Sequence, residues 1–323
     1  LDNKVGFAIG SGRCGTLFLY QLMQKEPLVA SSHERNQDNE TFHRYCKWHR
    51  LPVDDEGFLA TKELEIRSDL ETHAYSFEAS PHLSLSTREL HERFGAKFVF
   101  IVRRPDRVVS SFVHKGFYRR PYAVRNVELA TGYQDQSPER MHTFFARIAP
   151  TGEFFRAWNE MTPVGKVAWF WRAWNERTLA LLEGLPQDSY RIVRIEDLDY
   201  PKYREISQFL GYQAQVTQAD FDALREEKPH AFWRKRSIDQ WTEREIREFE
   251  GQVAELASRF DYQHRIAELV DEARAERAES ERLGRIPQKK EGPRFWRLRR
   301  TTAGMLRGLG KGLNGLANGI DVE

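Results

Sequence analysis

Val5 to Ile9 form a short apolar run of the length of a buried strand, and GSGRCGT, Gly10 to Thr16, follows it directly before the helix-like TLFLYQLMQKE. A glycine-rich turn from a strand into a helix N-terminus aims backbone N–H groups and the positive end of the helix dipole at one point. Such a point is an anion site, most often for phosphate. The residues also narrow which phosphates suit it. A loop for a magnesium triphosphate needs GxxxxGK[ST], in which the lysine reaches the β- and γ-phosphates and the hydroxyl holds the metal. Here Gly10 and Gly15 have the glycine spacing, but Thr16 follows Gly15 directly and the nearby cation is Arg13, inside the loop. An arginine there reaches a 5′-phosphate or a bridging oxygen.

A second constellation lies in KFVFIVRRPDRVVSSF, Lys97 to Phe112. The continuous apolar run Phe98 to Val102 is that of a strand buried on both faces of a parallel sheet. Arg103 closes it, Arg104 is biased toward extended geometry by the proline that follows, and Asp106 to Phe117 are expected to be helical. Arg103 then sits at the carboxyl end of the strand. Ser111, in the second turn of the helix, leans back toward the helix start, so both can meet one anion. Without the first motif, Arg103 would read as a salt-bridge partner and Ser111 as a surface hydroxyl.

Along the chain the expected order is strand 4–9, helix 15–25, strand 28–31, a polar loop with helix to about 73, strand 75–78, helix 85–94, strand 97–102 and helix to 117. This alternation implies an α/β fold, a parallel sheet with helices on both faces and ligands outside the strand carboxyl ends. Residues 118–165 break the pattern with irregularly spaced aromatics and arginines, the kind of insertion that builds an acceptor pocket or lid. A helix from Val167 to Leu185 and a strand from Tyr190 to Ile195 return to the core, with Trp169, Trp171 and Trp174 read as packing residues and not as a sugar platform. The domain reading is a catalytic domain over 1–263, a charged helix over 264–284 and a basic amphipathic tail over 285–323.

At the two anion motifs the sequence resembles the sulfotransferases that use 3′-phosphoadenosine 5′-phosphosulfate (PAPS). Arg13, Cys14, Gly15 and Thr16 match their [KR]-x-G-T phosphosulfate loop. Arg103, Pro105 and Ser111 match their 3′-phosphate motif, an arginine followed eight residues later by a serine. Weaker echoes are EASP, Glu78 to Pro81, where several carbohydrate sulfotransferases have E-K-[ST]-P, and VRIEDL, Val193 to Leu198. The resemblance covers roughly Lys4 to Tyr262 and implies a P-loop-like sulfotransferase fold with PAPS as donor, 3′-phosphoadenosine 5′-phosphate as product and no metal. On it, Gly12, Arg13, Cys14, Gly15, Thr16, Leu17, Arg103 and Ser111 are expected to bind the nucleotide. Ala79 stands where those relatives have a lysine, so any contribution of that lysine is absent or supplied elsewhere.

Sulfuryl transfer asks for charge stabilisation at the leaving oxygen and a base for the acceptor hydroxyl. Arg13 and the loop backbone fit the first role. For the second, SSHERN at the end of the second strand offers Glu34, where carbohydrate sulfotransferases place a catalytic glutamate, then His33, with His82 after EASP as a third candidate. The acceptor is expected to be a hydroxyl compound, a carbohydrate or a small metabolite. Two rivals stay open: a phosphate-loop kinase, against which the missing lysine argues, and a non-catalytic nucleotide-binding module. No Cys/His/carboxylate cluster has metal-site spacing.

Composition bounds the remainder. A net charge of +2 from 50 basic and 48 acidic residues gives no global field for nucleic acid or membrane. Cys14 and Cys46 are the only cysteines, which fits a reducing, cytoplasmic compartment. No apolar run reaches the length of a membrane span. The chain starts at Leu1, so a leader or anchor removed ahead of it stays open. Within the tail, Leu306, Leu309, Leu313, Leu316 and Ile320 recur at helical spacing beside a cluster of arginines and six glycines, expected to order on a membrane, a partner or the enzyme's own body.

Overall fold

A computed structural model of the chain describes residues 4–118, 147–226, 236–262 and 265–284. Most of the expected insertion and the whole tail 285–323 lie outside the described residues. The first of two compact units, Leu1–Glu276, contains the sheet and the site; the second, Arg277–Glu323, contains the end of the last described helix.

Five strands, β1 (Val5–Gly10), β2 (Val29–His33), β3 (Tyr75–Ala79), β4 (Lys97–Val102) and β5 (Tyr190–Arg194), form one parallel sheet in the order β2-β3-β1-β4-β5. The α/β class expected from the alternation is therefore the observed one. Alternate residues of the central apolar runs enter different cores, which is why both strands can be continuously apolar. Phe98, Phe100 and Val102 of β4 join Val5, Phe7 and Ile9 of β1 on one face. Val99 and Ile101 join Ala8 and Phe77 on the other.

Helices α1 (Thr16–Met23), α8 (Tyr200–Leu210) and α9 (Gln218–Glu226) cover the second face. The first is covered by α3 (Asp55–Thr72), α4 (Thr87–Phe94), α5 (Pro105–His114), α6 (Phe154–Glu160), α7 (Pro163–Glu183), α10 (Glu243–Arg259) and α11 (Ile266–Arg282). α2 (Gln37–His49) packs against a short 3₁₀ turn, Pro81–Leu85.

The segment expected as a polar loop with one helix thus holds two, and the helix expected from 85 begins at Thr87 after the 3₁₀ turn. The helix expected to reach Phe117 stops at His114, two residues before Gly116, which sits at φ 83°. The charged helix expected over 264–284 is α11, although the first compact unit extends to Glu276 and not to residue 263.

β1 has β3 on one side and β4 on the other, so the strand order reverses beside it. The crevice outside the carboxyl ends of β1 and β4 is where a sheet of this kind receives a ligand. GSGRCGT and Arg103 both lie there.

Candidate functional site

The loop after β1 is held open by interactions that only its own residues allow. A side chain at Gly10 would put a Cβ 2.6 Å from Cys14 Sγ and from the Ile101 carbonyl oxygen. At Gly15, with φ +116°, a Cβ would lie 2.5 Å from Ile195 Cδ1. α1 starts at Thr16 with no side-chain cap, so its first amides are left for a ligand. Two tryptophans of α7 fix the strand ends: Trp174 Nε1 donates to the Gly10 carbonyl at 2.9 Å and Trp171 Nε1 to the Arg103 carbonyl at 3.1 Å. Ser84 Oγ adds a bond to the Gly10 carbonyl at 3.0 Å.

Arg13 sits at φ 58°, a left-handed conformation that costs a non-glycine residue roughly 1–2 kcal/mol. Its Nε donates to Ser111 Oγ at 2.9 Å, and Arg103 Nη1 donates to the Arg13 carbonyl at 3.1 Å. The loop and the strand–helix motif, far apart in the chain, therefore meet. Of the two adjacent arginines, Arg104 is neutralised by Asp106 at 2.7 Å and Glu272 at 2.6 Å. Arg103 makes no ion pair within 4.0 Å among the described residues, although burial lowers its pKa and Glu196 partly restores it. Glu196 of VRIEDL is a structural clamp: it accepts from the Arg104 amide at 3.0 Å and from Tyr262 Oη at 2.7 Å.

These groups open on a cavity of about 610 Å³. Gly12, Arg13, Gly15, Thr16 and Leu17 line it on one side, and His33, Glu34 and His82 on another, with Arg103 also in the wall. Cys14 is the exception among the loop residues. Its side chain is fully buried in the core and its thiol pKa is raised by that burial, so only its backbone is available to a ligand. Ser111 is likewise buried and is reached through Arg13.

Glu34 follows the end of β2 in a left-handed conformation, φ 48°, with its amide donating to the Ala79 carbonyl at 3.2 Å. Its Oε2 accepts from Gln37 Nε2 at 2.9 Å and lies 3.7 Å from His82 Nε2, while His33 Nε2 is 4.0 Å from Oε1. Burial opposes the charge of this carboxylate, yet His82, His33 and Arg44 outweigh it and hold its pKa below the ordinary value. Both histidines are pushed down by burial, His82 further by the charge of Arg44. At neutral pH the site thus presents an ionised glutamate flanked by neutral imidazoles.

EASP contributes through Glu78, buried beneath the site. Its carboxylate accepts from Lys62 Nζ and the Arg35 amide at 2.8 and 3.1 Å. Lys62 also meets Glu40 and Glu65, at 2.5 and 2.8 Å. A lysine does stand beside Glu78, but Lys62 is 1 % exposed and does not reach the cavity.

Sequence reasoning missed Arg44, Lys115 and Arg147, which also line the cavity. The buried face of α2 is Glu40, Thr41, His43, Arg44 and Cys46, so no apolar periodicity marks it. Arg147 lies over the Phe117 ring at 5.0 Å, past the end of the segment outside the described residues. Among the described residues no group of three or more His, Cys, Asp or Glu side chains could hold a metal ion.

No family model and no curated protein matches this chain. Among solved structures it is similar to the sulfotransferase domain from the Synechococcus PCC 7002 olefin synthase, with 17 % identity, TM-score 0.42, and coverage of 81 % of this chain and 95 % of that one. It is also similar to the sulfotransferase domain from the curacin biosynthetic pathway, with 14 % identity, TM-score 0.42, and coverage of 82 % and 99 %.

Proposed function

We propose that this chain transfers a sulfuryl group from PAPS to a hydroxyl acceptor, a carbohydrate or small metabolite. The observation that carries the reading is the convergence of Arg13, bonded to the buried Ser111, and Arg103 at one cavity that Glu34 also lines. When bound, the donor supplies an activated sulfuryl group and departs as the bisphosphate. The loop amides from Gly12 to Leu17 hold the 5′-phosphate, and Arg103 with Ser111 the 3′-phosphate. Arg13, which rests on Ser111 in this structure, turns to the leaving oxygen, where a charge-assisted bond acts on developing charge.

Glu34 takes the proton of the acceptor hydroxyl as that oxygen forms its bond to sulfur. Its lowered pKa keeps it ionised at neutral pH, and the two neutral histidines beside it help to fix its orientation. The strained backbone at both Arg13 and Glu34 supports a functional reading, because left-handed non-glycine residues persist where the surroundings hold them for a purpose.

Calorimetric titration with 3′-phosphoadenosine 5′-phosphate and with ATP plus Mg²⁺ tests the reading. Binding of the bisphosphate at least tenfold tighter than MgATP is expected; the reverse order would return the site to a kinase.

A further inference from the structure

The cavity contains a cation for which the donor nucleotide gives no reason. Arg44 comes from α2, and its charge acts on Glu34 and His82. It is 2 % exposed, its guanidinium lies over the Trp174 ring at 4.7 Å, and neither Nε nor Nη2 has a hydrogen-bond partner among the described residues. Burial lowers its pKa to about 10, so it remains charged at neutral pH. Glu34 and Glu40 favour that charge, but neither forms an ion pair with it within 4.0 Å, and Glu40 is already bonded to Lys62 and Ser80.

An unpaired buried donor destabilises the fold, and more so when it carries charge. His82 repeats the pattern beside it: it is buried, and neither ring nitrogen has a hydrogen-bond partner among the described residues. Unpaired donors on a buried cation, facing a cavity, form a receptor that is completed only when a ligand brings in an oxyanion.

On the reading that this is a sulfuryl transferase, we propose that the acceptor carries an anionic group, a carboxylate or a phosphate, which Arg44 binds with His82 beside it. The contact between His82 and Glu34 sets the spacing: hydroxyl and anion are separated by a few bonds, as in a hydroxy acid, an acidic sugar or a polyol phosphate. Selectivity follows, since a site built to pair such a group leaves its own donors unpaired with a neutral analogue.

Calorimetry on the full chain saturated with 3′-phosphoadenosine 5′-phosphate decides it, with glycerol 3-phosphate against glycerol and 3-hydroxybutyrate against its methyl ester. The anionic member of at least one pair should bind about tenfold or more tightly than its neutral partner, and the pair that does so identifies phosphate or carboxylate. Arg44→Met should abolish the preference without changing bisphosphate affinity, and Arg44→Lys should keep part of it. Equal binding within both pairs overturns the proposal, and does so on wild-type protein alone. A preference that survives Arg44→Met also overturns it, as does a matching loss of bisphosphate affinity, which would assign Arg44 to the donor. Failure of the wild-type chain to bind the bisphosphate would instead sink the sulfuryl-transfer reading.

Discussion

Two neighbouring arginines at the end of β4 divide structure from binding. Arg104 spends its charge on Asp106 and Glu272, whereas Arg103 forms no ion pair among the described residues and donates to the Arg13 carbonyl. If Arg103 serves the 3′-phosphate, Arg103→Ala should weaken binding of 3′-phosphoadenosine 5′-phosphate by on the order of tenfold to a hundredfold, the worth of a charge-assisted contact. Adenosine 5′-phosphosulfate, which lacks the 3′ group, should bind that variant nearly as it binds the wild type, and equal losses would reassign the residue. Glu34→Gln should lower turnover by roughly 10²- to 10⁴-fold with nucleotide affinity near wild type. His33→Ala and His82→Ala should cost less, and a larger loss in either would move the base. The pH profile checks the same assignment. Because its neighbours hold Glu34 below the ordinary carboxylate value, turnover should rise with pH through that lowered pKa and be flat across neutrality. An acid limb near neutral pH would point to a histidine.

At the level of elements, what the sequence made readable was set by where apolar side chains fall. β1, β4 and the helix after Pro105 stand out because their buried faces are apolar or because proline and glycine punctuate them. α2 and α3 did not: α2 buries Glu40 and Arg44, and α3 buries Lys62 between Leu59 and Ile66, so charge interrupts the apolar pattern of both. β2 runs on to His33 by pairing with Ala79, a backbone fact that its polar side chains do not announce. Trp171 and Trp174 were recognisable as core, but their bonds to the Arg103 and Gly10 carbonyls, which hold the site's two strand ends, depend on tertiary placement. The ion cluster beneath β3 also has a measurable signature. Burial and the neighbouring Glu40 carboxylate push Glu78 up to about 8, despite Lys62. A carboxyl whose folded pKa is raised stabilises the fold fully below its unfolded value and loses that contribution as pH rises through the folded one. Thermal midpoints should therefore fall as pH rises from the ordinary carboxylate range toward the raised value of Glu78 and level off above it, by roughly 2–4 °C per kcal/mol. Glu78→Gln should flatten that slope, and an unchanged slope would place the titration elsewhere.

Over the whole molecule, charge is segregated along the chain. Residues 285–323 hold nine basic and three acidic side chains, a surplus of six, so the remaining 284 residues carry −4 where the full chain carries +2. The body is thus acidic overall, yet its cavity is lined by Arg13, Arg44, Arg103, Lys115 and Arg147 against one carboxylate, Glu34. The attraction that a bisphosphate needs is local, and partly buried cations are screened less by salt than surface charges are. Among the described residues, every lining residue falls between Ser11 and Phe170, and the last residue of the buried core is Ala273. A chain ending at Gly284 is therefore expected to keep its bisphosphate affinity within about twofold and its thermal midpoint within about 2 °C. The basic tail, with its leucines at helical spacing, is expected to carry whatever affinity the full chain has for anionic vesicles, each arginine or lysine near such a surface contributing about 1 kcal/mol. Sedimentation with such vesicles separates the two roles. Vesicle binding that survives truncation would remove the membrane reading of the tail, and bisphosphate affinity that falls with truncation would assign its arginines to the nucleotide.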